Sequence, residues 1–575
     1  MPGGYRADPF AVLPVEIAIQ IARELAFRDI CSALRVSKGW KSTLISEPAL
    51  WKNVDITSTA MAPISTDVIR SYFQNAQSDV NSFMIGNVAH TDADSVLEML
   101  YQCANLKRLE IQSHMYRDAF TFEVLTKLNP RLTTLRISHD CAVAADVALR
   151  VLQRFRHLER VQLVCTFPSG VNRPPLPDIM PRLQIFSLRL AHEAEAGALT
   201  NACLRSFIRE IPRLMPQLTD LFISGSARFP LILPDASSLT LQSLNFKGRT
   251  IPGVDKLPPS LEYLKLDGGW LGESLGTTGA ISSLSRLRGL FITTDIMIFP
   301  LTWIPQSLHL PESLQILRMP SCCFVLPEQR LNYHAQLQSL KIVDLSAAYC
   351  LKISYLTHWL SQTEARLSHL SLAHCVFEKA DAGDWYRLIT TIDWSDLTEL
   401  DLSNLSDKPG GPEAPLDRHG QPLMSRNRWR HFLTAATTQL NSCKSIGEVE
   451  DLANLINTYM PNLEVLNLTG CDVGIATIKA LIDGNGGRLK KLIAVDCVSD
   501  NDFPELLKCG RHKGVKVYSV PHISPDPSDT PKRVRGNSDQ GSEQWGYVTP
   551  MRDLWEDDYS PFISLERDIE TVFFE

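Results

Sequence analysis

The sequence predicts an α/β repeat fold: a short N-terminal three-helix module that merges into a curved solenoid, with parallel strands on the concave side and helices or irregular returns outside. Three observations carry this. A six-residue phrase, apolar-x-x-apolar-x-apolar, returns along most of the chain. The first phrase starts, Val80, Leu106, Leu132, Leu158 and Leu183, lie 26, 26, 26 and 25 residues apart. The stretch before them, Asp8 to Ile56, has the 3.6-residue apolar period of helices instead.

The N-terminal stretch opens on Leu13-Pro14, and Ile17, Ile21 and Leu25 follow at helical spacing. A second apolar series runs through Ile30, Leu34 and Val36 to Trp40, Leu44 and Leu50-Trp51. Proline suits a first helical turn, where its missing N–H has no partner to lose. The spacing predicts helices over about 14–26, 29–36 and 38–46. So few residues cannot bury a sufficient core alone, so the module needs a partner or a packed neighbour.

The pattern Leu13-Pro14-Val15-Glu16-Ile17, then Asp29, then Val36-Ser37-Lys38-Gly39-Trp40 and Leu50-Trp51 resembles the F-box, and the Val-Ser-Lys-Gly-Trp run is similar to that of a fungal group. The resemblance implies docking on the Skp-type adaptor of a cullin–RING ubiquitin ligase. It assigns the adaptor contacts to Leu13, Pro14, Ile17, Ile21, Leu25, Val36 and Trp40, with internal packing an open alternative for Trp40. Ala22-Arg23-Glu24 stands where many members are more apolar, a departure expected to weaken docking.

Beyond the module the phrase resumes at Leu218, Leu241, Leu261, Leu287, Leu314, Leu337, Leu367, Leu397, Leu463 and Leu489. A period near 26 lies within the range of leucine-rich repeats, each giving one strand and one return segment. Alternate apolar positions of the phrase point inward from a parallel strand. Val96-Leu97-Leu100 and Ile475-Ile478-Leu481-Ile482 predict helical returns, whereas the 20-residue unit from Leu241 to Leu261 is too short for one. Prolines such as Pro181, Pro216, Pro311 and Pro461 end the preceding returns. The gap of 66 residues between Leu397 and Leu463 contains a Pro/Gly-rich insertion, 406–428, followed by helical patterns at about 429–440 and 446–459. Val515 to Tyr518 reads as a closing strand. The expected organisation is a tail at 1–8, the module at 9–56, the solenoid at 57–520, and a linker with an aromatic, acidic tail at 521–575.

Composition narrows the function classes. Hydrophobic residues make up 44% and charged residues 21% of 575 positions, as in folded globular proteins. A net charge of −7 argues against direct nucleic-acid binding. The apolar run 296–311 is interrupted by Pro300, Pro305 and Pro311, and no membrane-spanning segment or signal peptide is expected. Cys322, Cys375, Cys471 and Cys497 each stand eight residues after a phrase start, as small residues closing the turn after a strand. They lie in separate turns, so no metal site is expected, and Cys509-Gly510-Arg511-His512 has no second ligand pair. No nucleophile elbow, paired carboxylates or phosphate loop is found, and catalysis and cofactors are not expected. Lys532-Arg533-Val534-Arg535 is a weak nuclear-import signal, leaving cytoplasm and nucleus both open.

The fifth residue of each phrase projects onto the concave face. That column, with neighbouring positions, brings Lys247, Lys265, Arg318 and Lys341 among Phe222, Tyr263 and Phe291. Cations beside aromatics suit an acidic or phosphorylated peptide with an apolar anchor. Two readings stand: a ligase substrate adaptor, in which the repeats choose the protein to be ubiquitinated, and a non-ligase scaffold with a structural role, for example on chromatin.

Overall fold

A computed structural model describes the chain in segments from residue 12 to residue 518. Outside the described residues lie 1–11, 58–64, 87–92, 112–126, 145–151, 167–178, 191–208, 225–238, 248–256, 268–280, 294–301, 305–309, 325–336, 409–443, 519–575 and a few shorter stretches. The N-terminal tail, the helix expected at 429–440, the import signal and the C-terminal tail fall among them. The chain forms two compact units, Met1–Leu340 and Lys341–Glu575.

In the first unit the module folds as α1 (Val15–Arg23), α2 (Phe27–Ala33) and α3 (Lys38–Ile45), followed by a 3-10 turn at Pro48–Trp51. Pro14 is extended and sits just before α1, its carbonyl accepting hydrogen bonds from the N–H groups of Ile17 and Ala18 at 3.0 and 3.1 Å. Ala26 is also extended, so α2 starts two residues earlier than the apolar spacing suggests. The Ser37 hydroxyl caps α3 by accepting from the Trp40 N–H at 3.2 Å.

Trp51 leads directly into β1 (Asn53–Ile56), which pairs in parallel with β2 (Ser82–Ile85). The module therefore runs into the sheet without a linker. Onward come β3 (Arg108–Ile111), β4 (Thr134–Ile137), the short β5 (Val143–Ala144), β6 (Arg160–Thr166), β7 (Ile185–Leu190) and β8 (Asp220–Ser224). The unit continues through β9 (Ser243–Lys247), β10 (Tyr263–Asp267), β11 (Gly289–Thr293), β12 (Thr302–Ile304), β13 (Ile316–Arg318) and β14 (Cys322–Phe324). Strands β1, β2, β3, β4, β6, β7, β8, β9, β10, β11 and β13 lie side by side, every pair parallel. Among the described residues the returns carry α4 (Thr66–Asn75), α5 (Ala93–Tyr101) and a helical stretch at 209–214, and Val96, Leu97 and Leu100 of α5 are buried.

The phrase explains the ladder. Its first, fourth and sixth residues, such as Leu106, Leu109 and Ile111 or Leu132, Leu135 and Ile137, are fully buried. At its second position each repeat offers one carbonyl to two N–H groups of the next: Asn81 O accepts from Lys107 and Arg108, and Lys107 O from Thr133 and Thr134, at 2.8–3.0 Å. The same double acceptance recurs on to Arg288 O with Gln315 and Ile316. Each repeat thus satisfies its backbone only through a neighbour, which is why isolated units do not fold.

The second unit contains β15 (Ile342–Asp344), α6 (Ile353–Thr363), β16 (His369–Ser371), β17 (Val376–Glu378), α7 (Ala382–Thr391), β18 (Glu399–Asp401) and β19 (Ser406–Lys408). It ends with α8 (Lys444–Gly447), α9 (Leu452–Tyr459), β20 (Val465–Asn467), α10 (Ile475–Gly484), β21 (Lys491–Ile493), α11 (Phe503–Lys513) and β22 (Lys516–Tyr518). Parallel pairing runs β15, β16, β18, β20, β21, β22. β18 pairs directly with β20, so the strands on either side of the long gap are neighbours in the ladder. The insertion starts later than the sequence suggests: Ser406–Lys408 is a strand paired with β17.

One register differs from expectation. The residue paired with Ser371 is Asp344, and Lys341 lies at the second position of its phrase, its carbonyl accepting from Ser368 and His369. The run LQSLKIVDL holds two overlapping copies of the phrase, and the structure uses the one starting at Leu340, burying Val343 and Leu345.

The cysteines close turns as expected. The thiols of Cys375, Cys471 and Cys497 donate to the carbonyls of Leu345, Leu402 and Leu468 in the preceding repeats, at 3.0, 3.0 and 2.7 Å. Burial pushes the Cys375 thiol pKa up, keeping it the protonated donor this contact needs. The Cys322 side chain lies outside the described residues.

Strand ends are closed by side-chain caps. Asp344 Oδ1 accepts from the Ser346 N–H at 2.9 Å, Asp401 Oδ1 from Ser403 at 3.0 Å and Asn467 Oδ1 from Thr469 at 3.1 Å. Asp401 is half-exposed as a residue, but its carboxyl is seated deeply enough that desolvation raises its pKa against the lowering effect of the Ser403 bonds. A raised folded-state carboxyl pKa costs stability at neutral pH, and the cost fades as the group protonates. Asp401→Asn keeps the acceptor and removes the charge, as Asn467 already does. It is expected to raise the thermal midpoint at pH 7.5, with the gain shrinking as pH falls through the carboxylate range; melting curves across pH check this.

Candidate functional site

Two surfaces merit inspection, the outer face of the module and the concave columns of the first unit. On α1, Ala18 and Ala22 point inward, 1% and 0% exposed, while Ile17 and Ile21 point outward at 42% and 45%. The helical period makes 17/21 and 18/22 adjacent stripes one residue apart. Small residues inside let α1 pack closely on α3, leaving the large apolar side chains in solvent. That inverts the usual amphipathic order. Val36 is 62% exposed, Pro14 is exposed, and Leu13, Leu25 and Trp40 are half-buried. The sequence reading missed Val12 and Val15, which extend exposed apolar surface at the start of α1. Arg23 and Glu24, the apparent departures from the family outline, are solvent-facing, and Arg23 pairs with Glu47 at 3.2 Å.

Behind this face an aromatic group joins the module to the first repeat. The fully buried Trp51 stacks on Tyr72 of α4 with ring centroids 5.6 Å apart, and Phe27 meets both rings edge-on, at 6.0 and 5.2 Å. The Trp51 Nε1–H donates to Leu44 O at 2.9 Å. Burial raises the pKa of both the Tyr72 phenol and the Cys31 thiol, which contact each other at 3.6 Å, so both stay neutral. Angle and distance between module and repeats are fixed by this packing.

On the concave side of the first unit the expected column is present. Register aligns Asp55, Met84, Glu110, Arg136, Gln162, Ser187, Phe222, Asn245, Lys265, Phe291 and Arg318. Tyr263 lies in the neighbouring column between Ser243 and Gly289, and Lys247 lies in register with Ser224 and Asp267, its side chain outside the described residues. Phe222, Tyr263 and Lys265 are half-buried, whereas Phe291 and Arg318 are buried. Gly289 makes room for the aromatics: a Cβ there would stand 2.7 Å from Tyr263 Cδ1 and 2.9 Å from Phe291 Cε2. The Arg318 guanidinium carbon lies 5.9 Å from the Phe291 ring centroid. Lys341, an exposed residue of the second unit, does not belong to this column.

Nearer the module, the sequence reading passed over an ionic cluster. The buried Glu110 carboxylate accepts from Arg108 Nε and Nη2 at 3.0 and 2.6 Å, with Arg136 Nη1 at 3.6 Å. Arg108 stands at the third position of its phrase, and Glu110 and Arg136 at the fifth positions of successive phrases, in register. Among the described residues no His, Cys, Asp and Glu side chains group as a metal site, and no helix is long and apolar enough to cross a membrane.

Residues 10–57 match the F-box-like family. The N-terminal module is an F-box-like domain. Its matched span ends at Thr57 and so takes in β1, which pairs with β2 as the first strand of the sheet. The strands beyond it form a leucine-rich-repeat fold. A solved structure that the chain is similar to is the leucine-rich-repeat ectodomain of the plant membrane receptor kinase GASSHO1/SCHENGEN3 from Arabidopsis thaliana, in complex with CASPARIAN STRIP INTEGRITY FACTOR 2. Identity is 14%, the match covers 77% of this chain and 68% of that one, and the TM-score is 0.18. No curated protein matches the sequence. F-box and leucine-rich-repeat domains are protein-interaction folds.

Proposed function

We propose that the chain is the substrate-recognition subunit of a Skp–cullin–F-box ubiquitin ligase. The observation that carries this is the outward apolar stripe on α1, Ile17 and Ile21, beside exposed Val36 in an F-box-like domain. Leu13, Pro14, Ile17, Ile21, Leu25 and Val36 dock a Skp-type adaptor, while Trp40, half-buried, supports the edge of that face. An exposed patch of large aliphatic side chains is stabilised by a helical partner of matching shape. The repeats hold a protein substrate, the Trp51–Tyr72 packing sets the angle at which it is presented, and the adaptor links it to the cullin–RING core that transfers ubiquitin. The complex works in the cytoplasm or nucleus.

Affinity purification of the wild-type chain and of Leu13→Ala/Pro14→Ala, read by mass spectrometry, tests this. Wild type is expected to bring down adaptor and cullin and the double variant neither, while substrates that ride on the repeats remain in both. Adaptor in neither sample sinks the proposal. Adaptor without cullin indicates the non-ligase scaffold.

A further inference from the structure

The last described strand leaves one edge of the ladder open. β22 pairs with β21, and among the described residues no strand lies on its other side. Val515 holds the second position of that repeat. In earlier repeats the carbonyl at this position accepts from the next one: Thr398 O from Glu464 and Val465, Glu464 O from Lys490 and Lys491. Among the described residues no N–H donates to Val515 O. Val517, at the inward fourth position, is half-buried, whereas Leu400, Leu466 and Leu492 at the same position are buried. Leu507 of α11 is half-buried as well. Each repeat covers its core only with a neighbour, so the core is incompletely covered at this end. A bare strand edge is also a template for another strand.

The sequence holds a matching strand further on, outside the described residues. Ile569-Glu570-Thr571-Val572-Phe573-Phe574 repeats the phrase, with Ile569, Val572 and Phe574 at its first, fourth and sixth positions. Its fifth residue is phenylalanine, as at Phe222 and Phe291. Isoleucine, threonine, valine and phenylalanine all favour strands. A long excursion before the next strand has a precedent in this fold, since β18 pairs with β20 across the 66 residues from Leu397 to Leu463. Ile569 stands 55 residues after Gly514, the first position of the β22 phrase. Lengthening a loop to that extent costs little.

Charge selects the occupant. Lys508, Arg511 and Lys516 are exposed on α11 and β22 and form no ion pair among the described residues. The carboxylates of Glu505 and Asp483 are taken up by Lys479 and Lys513, and Asp502 is half-buried. The stretch 566–575 brings Glu566, Asp568, Glu570 and Glu575 against one cation, Arg567. A second copy's β22 would instead set the same cations against these, and like charges side by side oppose pairing.

We propose that the stretch 569–574 pairs in parallel on β22 as the next strand of the ladder and closes the core of the second unit. The Thr571 N–H then donates to Val515 O, Val572 covers Val517, and Phe573 stands beside Tyr518 on the concave face. This rests on the repeat ladder and not on the ligase reading.

Hydrogen exchange of the full-length protein, read by mass spectrometry, tests it. Amides of 570–574 and of Val517 are expected to exchange about a hundredfold slower than unstructured chain, at concentrations where sedimentation shows a monomer. Thr571→Pro removes the N–H that Val515 O receives and is expected to return both stretches to fast exchange, with β15 to β20 unchanged. Thr571→Val keeps that N–H and is expected to keep the protection. Fast exchange of 570–574 in the wild type overturns the proposal. So does protection of Val517 that Thr571→Pro leaves intact, and so does protection that appears only in a dimer, which makes a second copy the occupant.

Discussion

Ile17→Asp/Ile21→Asp is expected to abolish capture of a Skp-type adaptor, at least 100-fold in affinity, while the protein melts at its wild-type temperature. Both side chains project from α1 with more than two fifths of their surface exposed, so neither contributes much to the isolated fold. Under the proposed docking each isoleucine gives up the two fifths of its surface that is exposed, about 0.6–1.3 kcal/mol apiece. The two losses together come close to the roughly 2.8 kcal/mol of a 100-fold change, and the buried carboxylates make up the rest. Carboxylates placed against an apolar partner add a desolvation cost, so complete loss at accessible concentrations is the expected reading. Ala18→Asp gives the contrast. Ala18 lies one residue away but is buried at the packing of α1, so a charge there destabilises the module itself. Titration calorimetry with recombinant adaptor, paired with thermal melts, separates the two. Adaptor binding that survives the Ile17/Ile21 double substitution removes the basis for the docking face.

Much of this was legible in the sequence because each repeat obeys the same two constraints. Inward apolar positions must alternate, and each strand must pair with the next, so phrase and period together placed every first-unit column residue in its observed register. The misplacement of Lys341 has a physical origin. Within LQSLKIVDL, Leu337, Leu340 and Ile342 satisfy the alternation as well as Leu340, Val343 and Leu345, and all five residues are buried. Local pattern could not break that tie, but period could: Leu314 to Leu340 is 26 residues and Leu340 to Leu367 is 27. The Asp344-x-Ser346 cap, shared with Asp401-x-Ser403, marks the same frame. On α1 the family outline named Ile17 and Ile21, and composition could not say which stripe faced out. Either stripe is apolar, and only packing against α3 shows that the alanines took the inside. The Arg108–Glu110–Arg136 cluster was hidden for another reason. Arg108 and Glu110 sit two residues apart on one strand and Arg136 one repeat on, and no local spacing flags ion pairs that run both along a strand and across strands.

Trp51→Ala is expected to unfold the N-terminal module while the repeats beyond it persist. Trp51 is buried completely, and removing so large a side chain costs about 3–5 kcal/mol in transfer and cavity terms. The stack on Tyr72 and the edge contact with Phe27 add about 0.5–1.5 kcal/mol per pair. The Leu44 carbonyl, at the end of α3, also loses its donor. A module of some forty residues has little stability of its own to absorb this, because its core is shared with α4 of the first repeat. Repeats further along are held by their neighbours, so the loss stays local. Hydrogen exchange is the direct measurement. Amides of α1 to α3 are expected to lose protection, while those of β6 to β11 exchange as in wild type. Trp51→Phe keeps an aromatic stack and loses the Nε1–H bond and part of the buried ring volume, for an expected cost of about 2 kcal/mol and a module that stays folded. Unchanged protection of α1 to α3 in Trp51→Ala would show that the aromatic group does not hold the module. The fixed presentation angle in the proposed ligase role would then have no structural basis. The same variant tests that angle in function, because a module cut loose from the repeats loses both adaptor docking and the geometry that carries a bound substrate toward the transferred ubiquitin.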